Sequence, residues 1–401
     1  MARPLLYVAY PMRLDLGAAN AIQTHSTVRA LLPLLPGMHL VVPRWLREPS
    51  AFEDLGAIHL PRPAINKLSR LVPWAGWSYL ERTLYSAMLV IWLVALRISK
   101  KGYRTLYVRD AICAAWLCLL APIHGSRVIY EVHDLEALHP SKAARWPRAF
   151  WSRFLPWLDK QALSRACKLV SLTGAFREWA VARGLRHPSD IAVIPDAFDP
   201  HLYRDVDPAG ARRLLGLPPA PCIIGYAGLT FAYRRLDLLV EAFATVAGMH
   251  DNVLLVLVGG RPQEVQELCK QAERLGVADR VVTPGQVGQE KAALYLHASD
   301  ILVIPDTVTQ LTASPLKLFD YLAAGKAIVL KDMLALREIL DDHSALFFPE
   351  GDASALASAL NHLVSNPELR DQLGTAALAR STDYTYDARA RKILEVVKSC
   401  P

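Results

Sequence analysis

Short apolar runs bounded by turn residues recur along the first half of the chain, with longer stretches of helical periodicity between them. The runs cover residues 5–10, 40–42, 105–108, 127–132, 169–172 and 191–194. Continuously apolar strands are buried on both faces, so their alternation with helical segments predicts a parallel sheet with helical crossovers. A polar, proline-bearing stretch (195–221) interrupts the rhythm, which restarts with runs at 222–227, 253–258, 280–283, 301–304, 327–330 and 345–348. The pattern predicts an α/β protein of two Rossmann-like domains, 1–200 and 201–380, facing each other across a cleft. Residues 381–401 add a helix that closes back, with Ile393, Val396 and Val397 at helical spacing. Ligands of doubly wound sheets bind beyond the carboxyl ends of the strands, so chemistry is sought in the loops that follow each run and in the cleft.

Composition changes this picture in three places. Hydrophobic residues at 52% against 21% charged describe a packed globular chain and exclude a disordered one. The net charge of +7 is uneven: residues 1–200 hold 25 Lys and Arg against 14 Asp and Glu, and all nine tryptophans also fall there. A basic, aromatic-rich domain favours anionic, partly apolar partners such as a membrane surface. Nucleic acid is not expected, because no matching module is evident and the second half is net acidic. The six cysteines (113, 118, 167, 222, 269 and 400) show no metal-ligand or paired spacing and read as reduced, cytoplasmic core residues. The N-terminus passes directly into a strand, which does not suggest a signal peptide. The run of 14 uncharged residues between Arg82 and Arg97 is shorter than the roughly 20 a bilayer core requires and predicts a buried helix.

Several motifs could carry chemistry. Gly17 and Ala18 open a helix after the first run, where free backbone N–H groups suit a phosphate; an ordinary turn is the plainer reading. His133 lies at the end of the fifth run in Glu131-Val-His133-Asp134, able to hydrogen-bond near neutral pH or simply to sit in a surface loop. Residues 141–168 interleave Lys142, Arg145, Arg148, Arg153, Lys160 and Arg165 with Trp146, Phe150, Trp151, Phe154 and Trp157. With breaks at Pro147 and Pro156, the stretch reads as an interfacial helix pair or as a packed helix with a solvated basic edge. Asp205-Val-Asp207 imitates a metal-binding pair but falls in the inter-domain stretch.

In the second half, Gly225-Tyr-Ala-Gly228 followed by Arg234 and Arg235 lets a diphosphate approach the backbone beside paired N–H donors. Gly259 and Gly260 close the next run in the same way. Residues 305–325, PDTVTQLTASPLKLFDYLAAG, run from a strand end through Thr312, Ser314, Pro315 and Leu316 into a helix bearing Lys317 and Asp320. That is an anion site at a helix start or, alternatively, a solvated ion pair one turn apart.

With these residues in view, the sequence resembles the retaining glycosyltransferases of family 4, also called group 1, across nearly the whole chain and most specifically in the second half. The resemblance implies the GT-B fold and transfer from a UDP- or GDP-sugar to a hydroxyl acceptor without cofactor or obligatory metal. It assigns the glycine loop at the donor diphosphate to Gly17 and Ala18, and the histidine beside the donor sugar to His133. The phosphate-binding Arg and Lys fall on Leu229 and Arg234, with Arg235 adjacent; the Glu-x7-Glu pair falls on Thr312 and Asp320, the latter holding ribose. Asp196-Ala197 replaces the Asn-Gly that closes the first domain. Gly228, Gly260, Ser314, Pro315 and Leu316 complete the expected donor site around Arg234 and Lys317. Acceptor deprotonation in the family is assigned to the leaving phosphate, so no protein base is named. The acceptor is expected to be a lipid-linked or glycan precursor at the inner membrane face. Other readings of the same residues are a nucleotide-sugar epimerase and a catalytically silent membrane scaffold.

Overall fold

The computed structural model describes residues 3–70, 76–133, 135–136, 148–204, 207–306, 311 and 315–400. The chain forms two compact units, 1–195 with 386–401, and 196–385. Compared with the expected limits of 200 and 380 the divisions move by five residues, and the last helix belongs to the first unit.

The first unit is built on a parallel sheet of β1 (Arg3–Val8), β2 (His39–Arg44), β3 (Ile58–Pro61), β4 (Tyr103–Val108), β5 (Arg127–Val132), β6 (Lys168–Ser171) and β7 (Ile191–Val193). Its order is β3-β2-β1-β4-β5-β6-β7. The second unit uses β8 (Cys222–Ala227), β9 (Val253–Val258), β10 (Val281–Gly285), β11 (Ile301–Ile304), β12 (Ala327–Lys331) and β13 (Leu346–Phe348), in the order β10-β9-β8-β11-β12-β13. The order reverses between β1 and β4 and again between β8 and β11, and a doubly wound sheet has its ligand crevice at such a switch. All six residues of β9 are buried, as expected of a strand covered by helices on both faces. The two units have the α/β architecture of the GT-B class.

The helix Tyr386–Ser399 buries Ala390, Ile393 and Val396 among Leu5, Tyr7, Val28 and Leu31 of the first unit. Each such aliphatic side chain removed from water contributes on the order of 1.5–3 kcal/mol. This packing brings Cys400 to Cys167, just before β6, with Cα atoms 6.2 Å apart and the sulfurs bonded. The expectation of six reduced thiols is therefore corrected. The two partners are 233 residues apart, and only the return of the last helix juxtaposes them.

The helix between Arg82 and Arg97 also departs from expectation. It extends over Gly76–Ile98, long and apolar enough to cross a membrane by length and composition alone. It is not fully buried: Tyr85, Leu89 and Leu93 enter the core, whereas Ile91 is 70% and Ile98 77% exposed. Among the described residues of the basic aromatic segment, the helix Arg148–Arg165 continues through Pro156, with Leu155, Leu158, Ala162 and Leu163 buried on its inner side. Phe150 and Trp157 remain exposed on this helix. Lys142, Arg145 and Trp146 lie outside the described residues.

Candidate active site

At the second unit's switch point β8 delivers Tyr226 and Gly228, and the helix Leu316–Ala324 begins after β11. The Tyr321 hydroxyl accepts from the Ala227 amide at 2.9 Å and donates to the Val303 carbonyl at 3.4 Å, pinning the helix to both strand ends. Lys317 is thereby aimed at β8, where its Nζ donates to the Tyr226 hydroxyl at 2.5 Å and lies 3.8 Å from the ring centre. Gly228 adopts φ +146°, and a Cβ there would come within 2.8 Å of Lys317 Nζ, so a side chain would displace the ammonium. Gly259 is required for a similar reason: at φ +110° its Cβ would stand 2.1 Å from the Gly228 carbonyl oxygen.

Arg234 completes the cluster. Its Nε and Nη1 are buried and have no hydrogen-bond partner among the described residues. Burial, and then the charge of Arg234, hold the Lys317 ammonium well below its usual range. The ion pair between Lys317 and Asp320 does not form: Asp320 instead accepts from Tyr203. Its carboxyl is pushed up to about 7 by burial and by the nearby charge of Asp199, with Tyr203 opposing. Two cations with no carboxylate paired to them among the described residues, beside a glycine turn and a helix start, fit an oxyanion.

Pro315 is the N-cap of this helix and makes no side-chain cap; its carbonyl receives the Leu318 amide at 2.8 Å. Ser314 and Thr312 lie outside the described residues. Arg235 is committed to Asp237 at 3.2 Å, and Leu229 is 46% exposed. Gly260 packs on Thr230, whose hydroxyl donates to Glu264; that carboxylate also receives Arg261. Asp207 caps the helix Pro208–Leu215 by accepting from the Ala209 and Gly210 amides, and Asp205 lies outside the described residues. Among the described residues no three His, Cys, Asp or Glu side chains cluster as metal ligands. A cavity of about 540 Å³ opens at the amino ends of the central strands of this sheet, near Arg212, Cys222, Asp300 and Arg370. Two of its cations are held, Arg212 by Asp300 and Arg370 by the Leu363 carbonyl.

The expected residues of the first unit lie at its own switch point. The Gly17 amide donates to Asp15 at 3.1 Å, so this turn is closed by a side chain, and Ala18 caps the helix Ala19–Leu31 through its carbonyl only. His133 follows β5, with Nε2 2.5 Å from Oε1 of the fully buried Glu131. Asp134 is outside the described residues. Arg109 and Arg389 both pair with Glu131, at 3.1 and 2.7 Å. Sequence reasoning missed Tyr226, Tyr203, Arg109 and Arg389. The first was visible within Gly225-Tyr-Ala-Gly228; the others carry no local signal.

Residues 211–380 match the family model of glycosyl transferases group 1. The match covers most of the second unit. A D-inositol 3-phosphate glycosyltransferase of Stackebrandtia nassauensis is 26% identical over 298 residues, 70% of this chain and 64% of the relative. The chain thus spans less than two thirds of that relative's length. Among solved structures, Anabaena HepE in complex with UDP superposes with a TM-score of 0.74 at 16% identity, covering 98% of this chain and 99% of that one. Sucrose-phosphate synthase from Thermosynechococcus elongatus gives 0.74 at 19% identity, with 98% of each chain covered. In the second unit, Gly228, Arg234 and Lys317 converge, whereas Arg235 and Gly260 serve the loop framework.

Proposed function

We propose that the chain is a retaining glycosyltransferase of hexosyltransferase type that moves a sugar from a UDP- or GDP-sugar to a hydroxyl acceptor. The observation that carries this reading is the uncompensated pair Arg234 and Lys317 beside Gly228. Charge growing on a departing diphosphate would be met there by two donors already in place, the electrostatic term that usually dominates such transfers. Neighbouring solved structures include HepE bound to UDP-glucose, which favours uridine over guanosine. Asp320 would hold the ribose hydroxyls, and His133 would contact the sugar. Lys317→Ala and wild type, heated with UDP, GDP and their sugars, test this. A ligand at 100 times its Kd adds about 2.7 kcal/mol of apparent stability. A shift with one nucleotide, absent in the variant, is expected; no shift with any nucleotide overturns the reading in favour of a silent scaffold. Turnover of donor with no acceptor to a different nucleotide sugar would favour an epimerase.

We further propose a lipid-linked or glycan acceptor presented at the inner membrane face, reached from the cytoplasm. The basic first half and the exposed Ile91, Ile98, Phe150 and Trp157 support it. A second reading, a soluble phosphorylated polyol, is favoured by the inositol-phosphate-dependent relatives. Sedimentation with anionic vesicles at low salt supports the membrane reading, and failure to sediment supports the soluble one.

A further inference from the structure

The helix Gly76–Ile98 meets the core with Tyr85, Leu89, Val90 and Leu93 and turns a second apolar row outward. Leu80, Leu84, Ala87, Ile91, Ala95 and Ile98 are all exposed. They recur every three or four residues and so form one stripe, about 27 Å long at a rise of 1.5 Å per residue. Neighbouring elements widen it. Trp116, on the helix Ala111–Leu119, donates its indole N–H to Thr83 at 3.1 Å, and its ring lies 6.0 Å from that of Trp157 on the helix Arg148–Arg165. Trp157 is exposed in line with Phe150, Arg153 and Lys160. At the far end Arg97 Nη1 donates to the carbonyls of Pro122 and Ile123, which brings the exposed Ile123 to the end of the stripe.

Charge decides what covers this face. Arg97, Lys100, Lys101, Arg153 and Lys160 are exposed along its borders, whereas the acids on these helices, Glu81 and Asp159, are buried. A second copy of the chain would set cations against cations across a two-fold axis, with no exposed acid of the same helices to meet them. Nor is the helix free to cross a bilayer. Glu81 accepts from the Tyr10 hydroxyl and Arg62 Nε at 2.8 Å and from the Asn66 amide at 2.7 Å, which fixes the helix to the unit. An apolar stripe with aromatic and cationic borders matches an anionic lipid surface. We propose that the first unit lies on such a surface with Gly76–Ile98 in the membrane plane, its stripe seated between headgroups and acyl chains. The helix runs antiparallel to the strands: Tyr79, at its start, bonds to Glu136 beyond β5, and Ile98, at its end, precedes β4. The bilayer therefore covers one flank of the unit from amino edge to carboxyl edge, and the crevice at the carboxyl edge opens at the membrane rim. A lipid-linked acceptor would enter sideways along the leaflet; this last step rests on the membrane-acceptor reading, whereas the seating of the helix rests on the residues named here.

Sedimentation with vesicles of phosphatidylglycerol and phosphatidylcholine, compared among three variants of equal charge, tests the face. Ile91→Glu and Ile98→Glu each remove an apolar side chain from the seat and should weaken binding roughly tenfold or more. Leu46→Glu changes a side chain that is 99% exposed in the loop after β2, off the stripe. It should stay within roughly threefold of wild type, since a charge more than about 10 Å away is largely screened. All three positions are exposed, so melting temperatures should match wild type, and either isoleucine variant decides if the other does not fold. Binding lost equally in all three, in none, or only in Leu46→Glu overturns the proposal and leaves the membrane reading standing. A wild type that fails to sediment overturns both. A wild type that elutes as a dimer, with Ile91→Glu a monomer, gives the stripe to a second copy and overturns the proposal.

Discussion

Each unit gathers two cations at the switch point of its sheet, yet the two clusters are opposite in kind. Arg109 and Arg389 share a buried carboxylate, and most of their remaining arms end on side-chain oxygens or carbonyls. Among the described residues Arg234 and Lys317 are beside each other with no acid, and part of the Arg234 fork is unmet. The first arrangement carries its own counter-charge; the second has none among the described residues, so that like charge opposes it. The two switch points thus differ by the presence or absence of one carboxylate.

Removing that carboxylate tests the contrast most severely. Glu131→Ala should destabilise the protein by about 3–5 kcal/mol, because it strands two buried guanidiniums; chemical denaturation would show this, and an effect below 1 kcal/mol would mean that the network is not formed. Lys317→Met should do the reverse. Turnover should fall roughly 10²–10³-fold, as when one preorganised donor is lost, while the melting temperature without nucleotide stays level or rises. A fall in both would make Lys317 structural.

The smallest effect concerns Asp320. Its folded pKa, about 7, lies above the unfolded value of 3.8. The group therefore supports the fold fully below about pH 4 and loses that support as pH rises toward and through 7. Asp320→Asn should be more stable than wild type at pH 8, with the gap closing toward pH 4 in a series of thermal melts. A gap independent of pH would place the carboxyl in a solvated setting.

Much of this was legible in the sequence. Strands of parallel sheets are buried on both faces, so runs such as Val253–Val258 stand out, and β1, β2, β4 to β13 fall where continuous apolarity predicts them. Ile58–Pro61 did not stand out, because this edge strand is half-exposed and ends on a proline. Gly228, Arg234 and Lys317 could be named from turn and helix-start chemistry. What could not be read was the absence of an acid beside them, since Asp320, one turn along, looked like the partner and bonds to Tyr203 instead. Arg389 was hidden for a different reason. It reads as one more polar position on an amphipathic helix, and only packing carries it to a carboxylate on β5. The outer face of Gly76–Ile98 escaped likewise: a gap in charge reveals an apolar helix but not which side lacks a neighbour.

The bond between Cys167 and Cys400 encloses the whole second unit in a covalent ring. A protease that cuts once anywhere within 196–385 would leave a nicked protein still joined as one molecule, and its two pieces would separate on a gel only after a reductant is added.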